Sequence, residues 1–188
     1  MSELTARDRD GIARAASLDN STRALVTVTD AERAIHEGDH YFLKTWFDVQ
    51  GKGTVVDFLF LTPSMPWRIH GNGRVLCEKT EFTFGFYEDV IVSNVGTPVP
   101  SVNNDRASEK ISRMPVWANP TITDIGHDIW PAKVGVAGQA VTTGFNYEYF
   151  TKPDTYYMTR LTKDKTGTHW IDLDFWWYEA IHKDATYD

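Results

Sequence analysis

Thr80-Glu81-Phe82-Thr83-Phe84-Gly85-Phe86-Tyr87-Glu88 sets rings at every second position. Extended, this stretch puts Phe82, Phe84 and Phe86 on one face and Glu81, Thr83, Gly85 and Tyr87 on the other. Large apolar side chains with a period of two predict a half-buried β-strand. The same pattern returns at Val56, Phe58 and Phe60, and at Ile171, Leu173, Phe175 and Trp177. Strands that each carry one apolar face must share a core between two sheets.

Working outward, His40–Val49 reads as a strand with Tyr41, Leu43, Thr45 and Phe47 inside. Gly51-Lys52-Gly53 predicts a tight hairpin into a return strand, Thr54–Leu61, which Pro63 and Pro66 end. Arg68–His70 and Arg74–Cys77 read as short strands around a turn at Gly71-Asn72-Gly73. Val90–Pro100 is a further apolar piece ending in Gly96-Thr97-Pro98. Thr143–Thr151 alternates Phe145, Tyr147 and Tyr149. Lys163-Asp164-Lys165-Thr166-Gly167 then predicts a second hairpin, joining Thr155–Lys163 to Thr168–Tyr178.

Three segments lack this regularity. Residues 1–22 are polar and charged and read as an N-terminal arm, either ordered against a partner or a disordered tail. A short helix over Thr5–Ala16 fits the pattern, weakened by Gly11. Arg23–Asp30 predicts a first strand, and Asp30–His36 a helical turn or a plain connection. Residues 101–140 read as one long irregular loop, broken by Pro115, Pro120 and Pro131, with Thr121–Thr123 as its one strand. Residues 181–188 form a polar C-terminal tail. The chain is therefore expected to be all-β: one antiparallel β-sandwich over residues 23–180. Short strands at this spacing favour a jelly roll over an immunoglobulin-like sandwich, whose Cys…Trp…Cys signature is missing.

At 188 residues the chain can bury a substantial core. It holds seven Trp, eight Tyr and ten Phe, so rings supply much of that core. A net charge of −7 argues against nucleic acid as a partner. Cys77 is the only cysteine, so no intrachain disulfide can form, which suits a reducing cytoplasm. No apolar run reaches membrane-spanning length, and no signal-peptide core is expected.

Candidate chemistry is sparse. His36, Asp39 and His40 carry metal-ligand groups, and Asp124, His127 and Asp128 are the similar cluster elsewhere. Both read as polar turns, since ligands must converge from several elements. Asp172 and Asp174 share a strand face with Trp170, Trp176 and Tyr178. Two carboxylates on one strand lack the opposed geometry of glycoside hydrolysis. The reading is a charged strand flank beside a possible glycan or interface face. No Gly-x-Ser-x-Gly elbow and no Gly-rich phosphate loop is present, so no enzyme and no cofactor is expected. Cys77 reads as a buried structural thiol. Trp67, Trp117 and Trp130 fall in segments that look like loops. Such rings either anchor a protein partner or are covered by the long loop as a second layer of core.

Ala34-Ile35-His36-Glu37-Gly38-Asp39-His40-Tyr41, Phe58-Leu59-Phe60-Leu61-Thr62-Pro63, Gly96-Thr97-Pro98-Val99, Asn103-Asn104-Asp105-Arg106 and Thr168–Tyr178 together resemble β-rich virion structural proteins of tailed bacteriophages. Members of that group are capsid decoration (cement) proteins or related head and tail components. The phrases are scattered over residues 20–180. The group tends to have Asn-x-Asn-Arg where this chain has Asn103-Asn104-Asp105-Arg106. The resemblance implies a non-enzymatic protein that binds the major capsid protein and neighbouring copies of itself, as a homotrimer on the outer surface of the head. It implies assembly in the host cytoplasm and no catalytic residue. Arg7, Arg9 and Arg14 of the arm, with Arg106, Arg113, Trp117 and Trp130 of the loop, are the expected partner contacts. A carbohydrate-binding or receptor-binding appendage using Trp170, Trp176 and Tyr178 is the alternative.

Overall fold

Side chains that alternate in the sequence alternate in space. In the computed structural model Phe82, Phe84 and Phe86 are buried, while Thr83 between them is exposed. The structure describes residues 5–7, 13–15, 30–77, 81–134 and 141–181. Their elements, in chain order, are β1 (Thr5–Arg7), β2 (Ala13–Ala15), α1 (Asp30–Glu37), β3 (His40–Gln50), β4 (Val55–Leu61), β5 (Trp67–Cys77), β6 (Phe82–Glu88), β7 (Ile91–Asn94), β8 (Thr97–Val99), β9 (Val102–Asn103), β10 (Val116–Ala118), β11 (Thr121–Asp124), β12 (His127–Val134), β13 (Val141–Phe150), β14 (Tyr156–Lys163) and β15 (Thr168–Ile181).

The fold is an all-β sandwich of antiparallel sheets. One sheet has the order β12-β6-β14-β4-β10-β8 and the other β13-β5-β15-β3-β9. Between them lies the predicted ring core. Phe58, Phe60, Phe82, Phe84 and Leu161 come from the first sheet, and Tyr41, Leu43, Ile69, Val75, Ile171, Leu173 and Trp177 from the second. The first sheet is also covered on its other face. There Leu59, Val90 and Met158 are buried, packed against Trp117 and Tyr156 of the sheet itself and against Val92, Ile122 and Ile125.

By contact the chain divides into Met1–Arg33 and Ala34–Asp188. In the first unit β1 and β2 pair antiparallel, with Thr5 opposite Ala15. Paired strands therefore replace the helix considered for Thr5–Ala16, consistent with the low helix propensity of Gly11. The strand expected over Arg23–Asp30 lies outside the described residues, except that Asp30 opens α1.

Other expectations change in instructive ways. The turns at Gly51–Gly53 and at Lys163–Gly167 do reverse the chain, but neither makes a hairpin. β3 and β15 belong to one sheet, β4 and β14 to the other. Turn residues encode reversal, whereas the apolar faces are equally well buried when the returning strand enters the facing sheet. The two crossings are tied together. Gly53 N donates to Lys163 O at 2.8 Å, and Lys163 N donates to Thr54 O at 2.9 Å. The Lys163 side chain is itself fully buried, its Nζ donating to Val49 O at 2.8 Å and to Gly167 O.

Gly71-Asn72-Gly73 is not a turn, and β5 runs through it unbroken. A Cβ on Gly71 would lie 3.0 Å from the Phe175 ring, so glycine here admits a ring rather than a bend. The long irregular loop instead carries four strands, β9 to β12, which take up half of residues 101–134. Pro131 is tolerated because β12 is an edge strand and needs no donor on its outer side. β15 runs three residues past the expected strand end at Tyr178, so Ile181, read as the start of the tail, belongs to the sheet.

Candidate functional site

The most organised polar construction lies where β15 ends. Glu179 Oε1 accepts hydrogen bonds from Ser112 Oγ and from Arg113 N, both at 2.7 Å. Its Oε2 accepts from Arg113 Nη1 at 2.9 Å. The Glu179 side chain is 0% exposed, so these charge-assisted bonds replace all of its hydration. Ser112 Oγ, its proton given to Glu179, accepts from Trp177 Nε1 at 3.2 Å and from Met114 N at 3.0 Å. The Arg113 guanidinium sits 3.6 Å from the centre of the Trp67 ring, a cation–π contact.

A second set of bonds holds the start of the same segment. α1 ends at Gly38, whose φ of 72° closes the helix with bonds to Ile35 O and, from Asp39 N, to Ala34 O. A Cβ there would overlap Ser108, so the loop packs where only glycine leaves room. Gly38 O accepts from Asn103 Nδ2 at 2.8 Å. Lys110 Nζ reaches Glu37 O at 2.6 Å and Asp39 Oδ2 at 2.9 Å. The segment 103–114 is thus pinned at Asn103, Lys110, Ser112 and Arg113. Between two of those pins Ile111 is 85% exposed.

His40 closes the set. It is buried, and Asn104 Nδ2 donates to its Nδ1 at 2.5 Å, which puts the imidazole proton on Nε2. Burial holds its pKa below the ordinary 6.5. The unfolded chain therefore protonates first as pH falls. This contribution to stability is complete above pH 6.5 and is lost as pH drops through the lower folded value. Amide protection over 103–114, measured against the intrinsic exchange rate at each pH, is expected to fall below pH 6.5, and His40→Gln to remove most of that fall. An identical pH profile in the variant would show that His40 does not govern it.

A different arrangement occupies the outer face of the second sheet. Strand register sets Phe42 opposite Trp176, Lys44 opposite Asp174, and Trp46 opposite Asp172. Arg74 faces Asp174 from the other side. Arg74 Nε donates to Asp174 Oδ2 at 2.5 Å, and Lys44 Nζ lies 3.1 Å from Asp172 Oδ2 and 3.3 Å from Asp174 Oδ1. Trp46 is 69% exposed.

The residues singled out from sequence are scattered over these surfaces. Arg7 lies on β1 and Arg14 on β2, while Arg9 lies outside the described residues. Arg106 is exposed in the pinned segment, but Arg113 is folded onto Glu179. Trp67, Trp117 and Trp130 are on strands, not loops, and all three are half-buried. Trp117 packs in the second-layer cluster and Trp130 against the main core, each partly buried. Trp170, Trp176 and Tyr178 share a face as expected, yet none is fully exposed, and Tyr178 stacks on His70 at 4.4 Å. Asp172 and Asp174 are neutralised by Lys44 and Arg74. Asp39 and His40 are each engaged in the pinned segment's bonds, and among the described residues no three His, Cys, Asp or Glu groups converge as a metal site. The Cys77 side chain lies outside the described ones. Sequence reasoning missed Glu179, Ser112, Lys110 and Trp46. Only Glu179 carried a signal, as an acid continuing the alternation of β15 on its buried side after Phe175 and Trp177.

No protein-family model matches the chain, and no curated protein matches it. Among solved structures, one of infectious bursal disease virus Gt strain is similar at 13% identity and a TM-score of 0.18. The match covers 89% of this chain, which spans 45% of the length of that one. So loose a likeness bears on neither fold nor function.

Proposed function

We propose that the chain is a non-enzymatic virion structural protein of a tailed bacteriophage that binds and stabilises the capsid shell as a decoration protein. The observation that carries this reading is Ile111, 85% exposed on a segment fixed on both sides of it. An apolar side chain displayed on a pre-ordered segment binds without the entropy cost of ordering a loop. Arg106, exposed on the same segment, suits carboxylates at the rim of such a contact. Arg7, Arg9 and Arg14 extend the attachment in the same way. The partners are the major capsid protein and neighbouring copies in a homotrimer, on the outer surface of a head assembled in the host cytoplasm.

The finer reading of the fold as a jelly roll agrees with this role. It is supported by strand order: the chain changes sheet from β3 to β4, to β5 and to β6, and again from β12 to β13, to β14 and to β15.

Ile111→Asp is expected to weaken attachment to undecorated heads about tenfold with unchanged thermal unfolding. Co-sedimentation with heads measures this, and full attachment by the variant would overturn the proposal. Quantifying the protein in purified particles separates the alternative. A decoration protein is present in many symmetric copies, whereas a receptor-binding appendage is scarce.

A further inference from the structure

We infer that residues 82–99 and 112–129 are two copies of one strand–turn–strand unit, related by an internal two-fold and associating with each other through β7 and β11, so that the first sheet is a covalently linked dimer. Val92-Ser93-Asn94-Val95-Gly96 and Ile122-Thr123-Asp124-Ile125-Gly126 match position by position, thirty residues apart. The backbone repeats with them. Gly96 and Gly126 have φ of 92° and 72°, and Asp89 and Asn119, again thirty apart, have φ of 61° and 55°. Asn94 Oδ1 accepts from Gly96 N at 2.9 Å, and Asp124 Oδ1 accepts from Gly126 N at 3.0 Å. A Cβ on Gly96 would overlap the backbone of Ala118 and Asn119, and one on Gly126 the backbone of Glu88 and Asp89, which are the equivalent positions. Each glycine is therefore required by the backbone of the other copy.

An Asx-x-Gly turn has local causes and can recur by chance, but it does not dictate which strands flank it or in what register. Here the pairing repeats as well. β7 meets β11 isologously: Asn94 lies opposite Thr121 and Asp124 opposite Ile91, about the central pair Val92 and Ile122. Ser93 Oγ donates to Thr121 O, and Thr123 Oγ1 donates to Ile91 O. The flanking strands follow the same two-fold. Thr97 of β8 faces Ala118 of β10, as His127 of β12 faces Glu88 of β6. Phe86 and Glu88 face Thr159 and Tyr157 of β14, as Val116 and Ala118 face Phe60 and Phe58 of β4. The order β12-β6-β14-β4-β10-β8 is thus symmetric about the β14–β4 pair. Apolar packing over this sheet also comes in equivalent pairs: Tyr87 with Trp117, Val92 with Ile122, and Val95 with Ile125. The connection between the copies, residues 100–111, has no counterpart in either. It carries Arg106 and Ile111, so the inference stands whether or not that segment attaches to a capsid.

The test exchanges Val92–Gly96 with Ile122–Gly126 in the full chain and follows thermal unfolding. Each residue then enters an equivalent place, so Tm is expected to stay within about 4 °C of the parent chain. A second chain receives the residues of Thr123–His127 in place of Val92–Gly96, a shift of one position that puts the glycine and the apolar side chains out of register. Its Tm is expected to fall by more than about 6 °C. Gly96→Ala and Gly126→Ala, made separately, are expected to lower Tm by amounts within about 4 °C of each other, since each sets a Cβ at positive φ against the same backbone positions of the other copy. A larger loss in the exchanged chain, a shifted chain as stable as the exchanged one, or unequal losses at the two glycines would each overturn the assignment.

Discussion

Phe84→Ala is expected to destabilise the sandwich by about 3–5 kcal/mol, the cost of deleting a fully buried ring. Phe84 is 1% exposed, lies opposite Leu161 on β14 and Ala132 on β12, and packs into the core shared by both sheets. It also lines a cavity of about 30 Å³ between the sheets, beside Phe60, Phe86 and Phe175. Removing the ring enlarges an existing void instead of opening an isolated one, which leaves neighbouring side chains less to collapse onto. A domain of this size has only about 5–15 kcal/mol of stability. The expected fall in Tm is roughly 6–20 °C. Thr83→Ala, one residue away on the exposed face, loses a 2.9 Å hydrogen bond to Asp164 and should cost no more than about 1 kcal/mol. Comparable losses at both positions in a thermal melt would contradict the alternation on which the fold rests.

That alternation is why the fold class was legible. Phe82, Phe84 and Phe86, like Ile171 and Leu173, are buried because period-two placement leaves no other way to remove their surface from water. Which strand pairs with which was not legible. Gly51-Lys52-Gly53 and Lys163–Gly167 are sound turn sequences, and both do turn. Whether the returning strand bonds to its predecessor or enters the facing sheet depends on contacts far away in the chain, such as Val55 to Leu61 meeting Tyr156 to Thr162. Turns have local causes and sheet order does not. Gly71 misleads for a related reason, since a glycine that admits the Phe175 ring looks in sequence like one that bends the chain.

The strands hidden in residues 101–134 show a further limit. Val116, Trp117 and Ala118 are too short a run to announce a strand, and they become one by filling the space between β4 and β8. β12 was obscured by Pro131 because proline argues against a strand unless the strand lies at an edge, and edge position is a property of the finished sheet. The polar site was less legible still. Lys110, Ser112 and Arg113 are ordinary surface residues by type, and their roles follow from partners far away in the chain: Glu37 and Asp39 for Lys110, and Glu179 for Ser112 and Arg113. Trp46 escaped notice because it looks like any strand ring, although its neighbours on the inner face, Tyr41 and Leu43, are the ones that are buried.

Glu179→Ala is expected to cost about 3 kcal/mol, the lower end of what breaking a buried ion pair costs. The lower end applies because Arg113, at 38% side-chain exposure, can recover part of its hydration. The remainder comes from neutral donors. Ser112 Oγ and Arg113 N each lose a 2.7 Å acceptor inside the protein, and neither has water to replace it without opening the segment. Opening is the informative consequence. With Glu179 gone, Arg113 keeps only its cation–π contact with Trp67 and a distant Asp39 oxygen at 3.9 Å. Ser112 Oγ, which accepts from Trp177 and Met114, is left with Met114 O at 3.2 Å as the acceptor for its proton. Amide exchange over 105–114 should therefore rise far more than exchange in β14, and attachment to heads should weaken even though Ile111 is untouched. A double-mutant cycle with Arg113→Ala separates the ion pair from the neutral bonds: the combined loss should be smaller than the sum of the single losses. Additive losses, or unchanged exchange over 105–114 in Glu179→Ala, would mean that the segment is held by Lys110 and Asn103 alone and that the carboxylate only fills space at the end of β15.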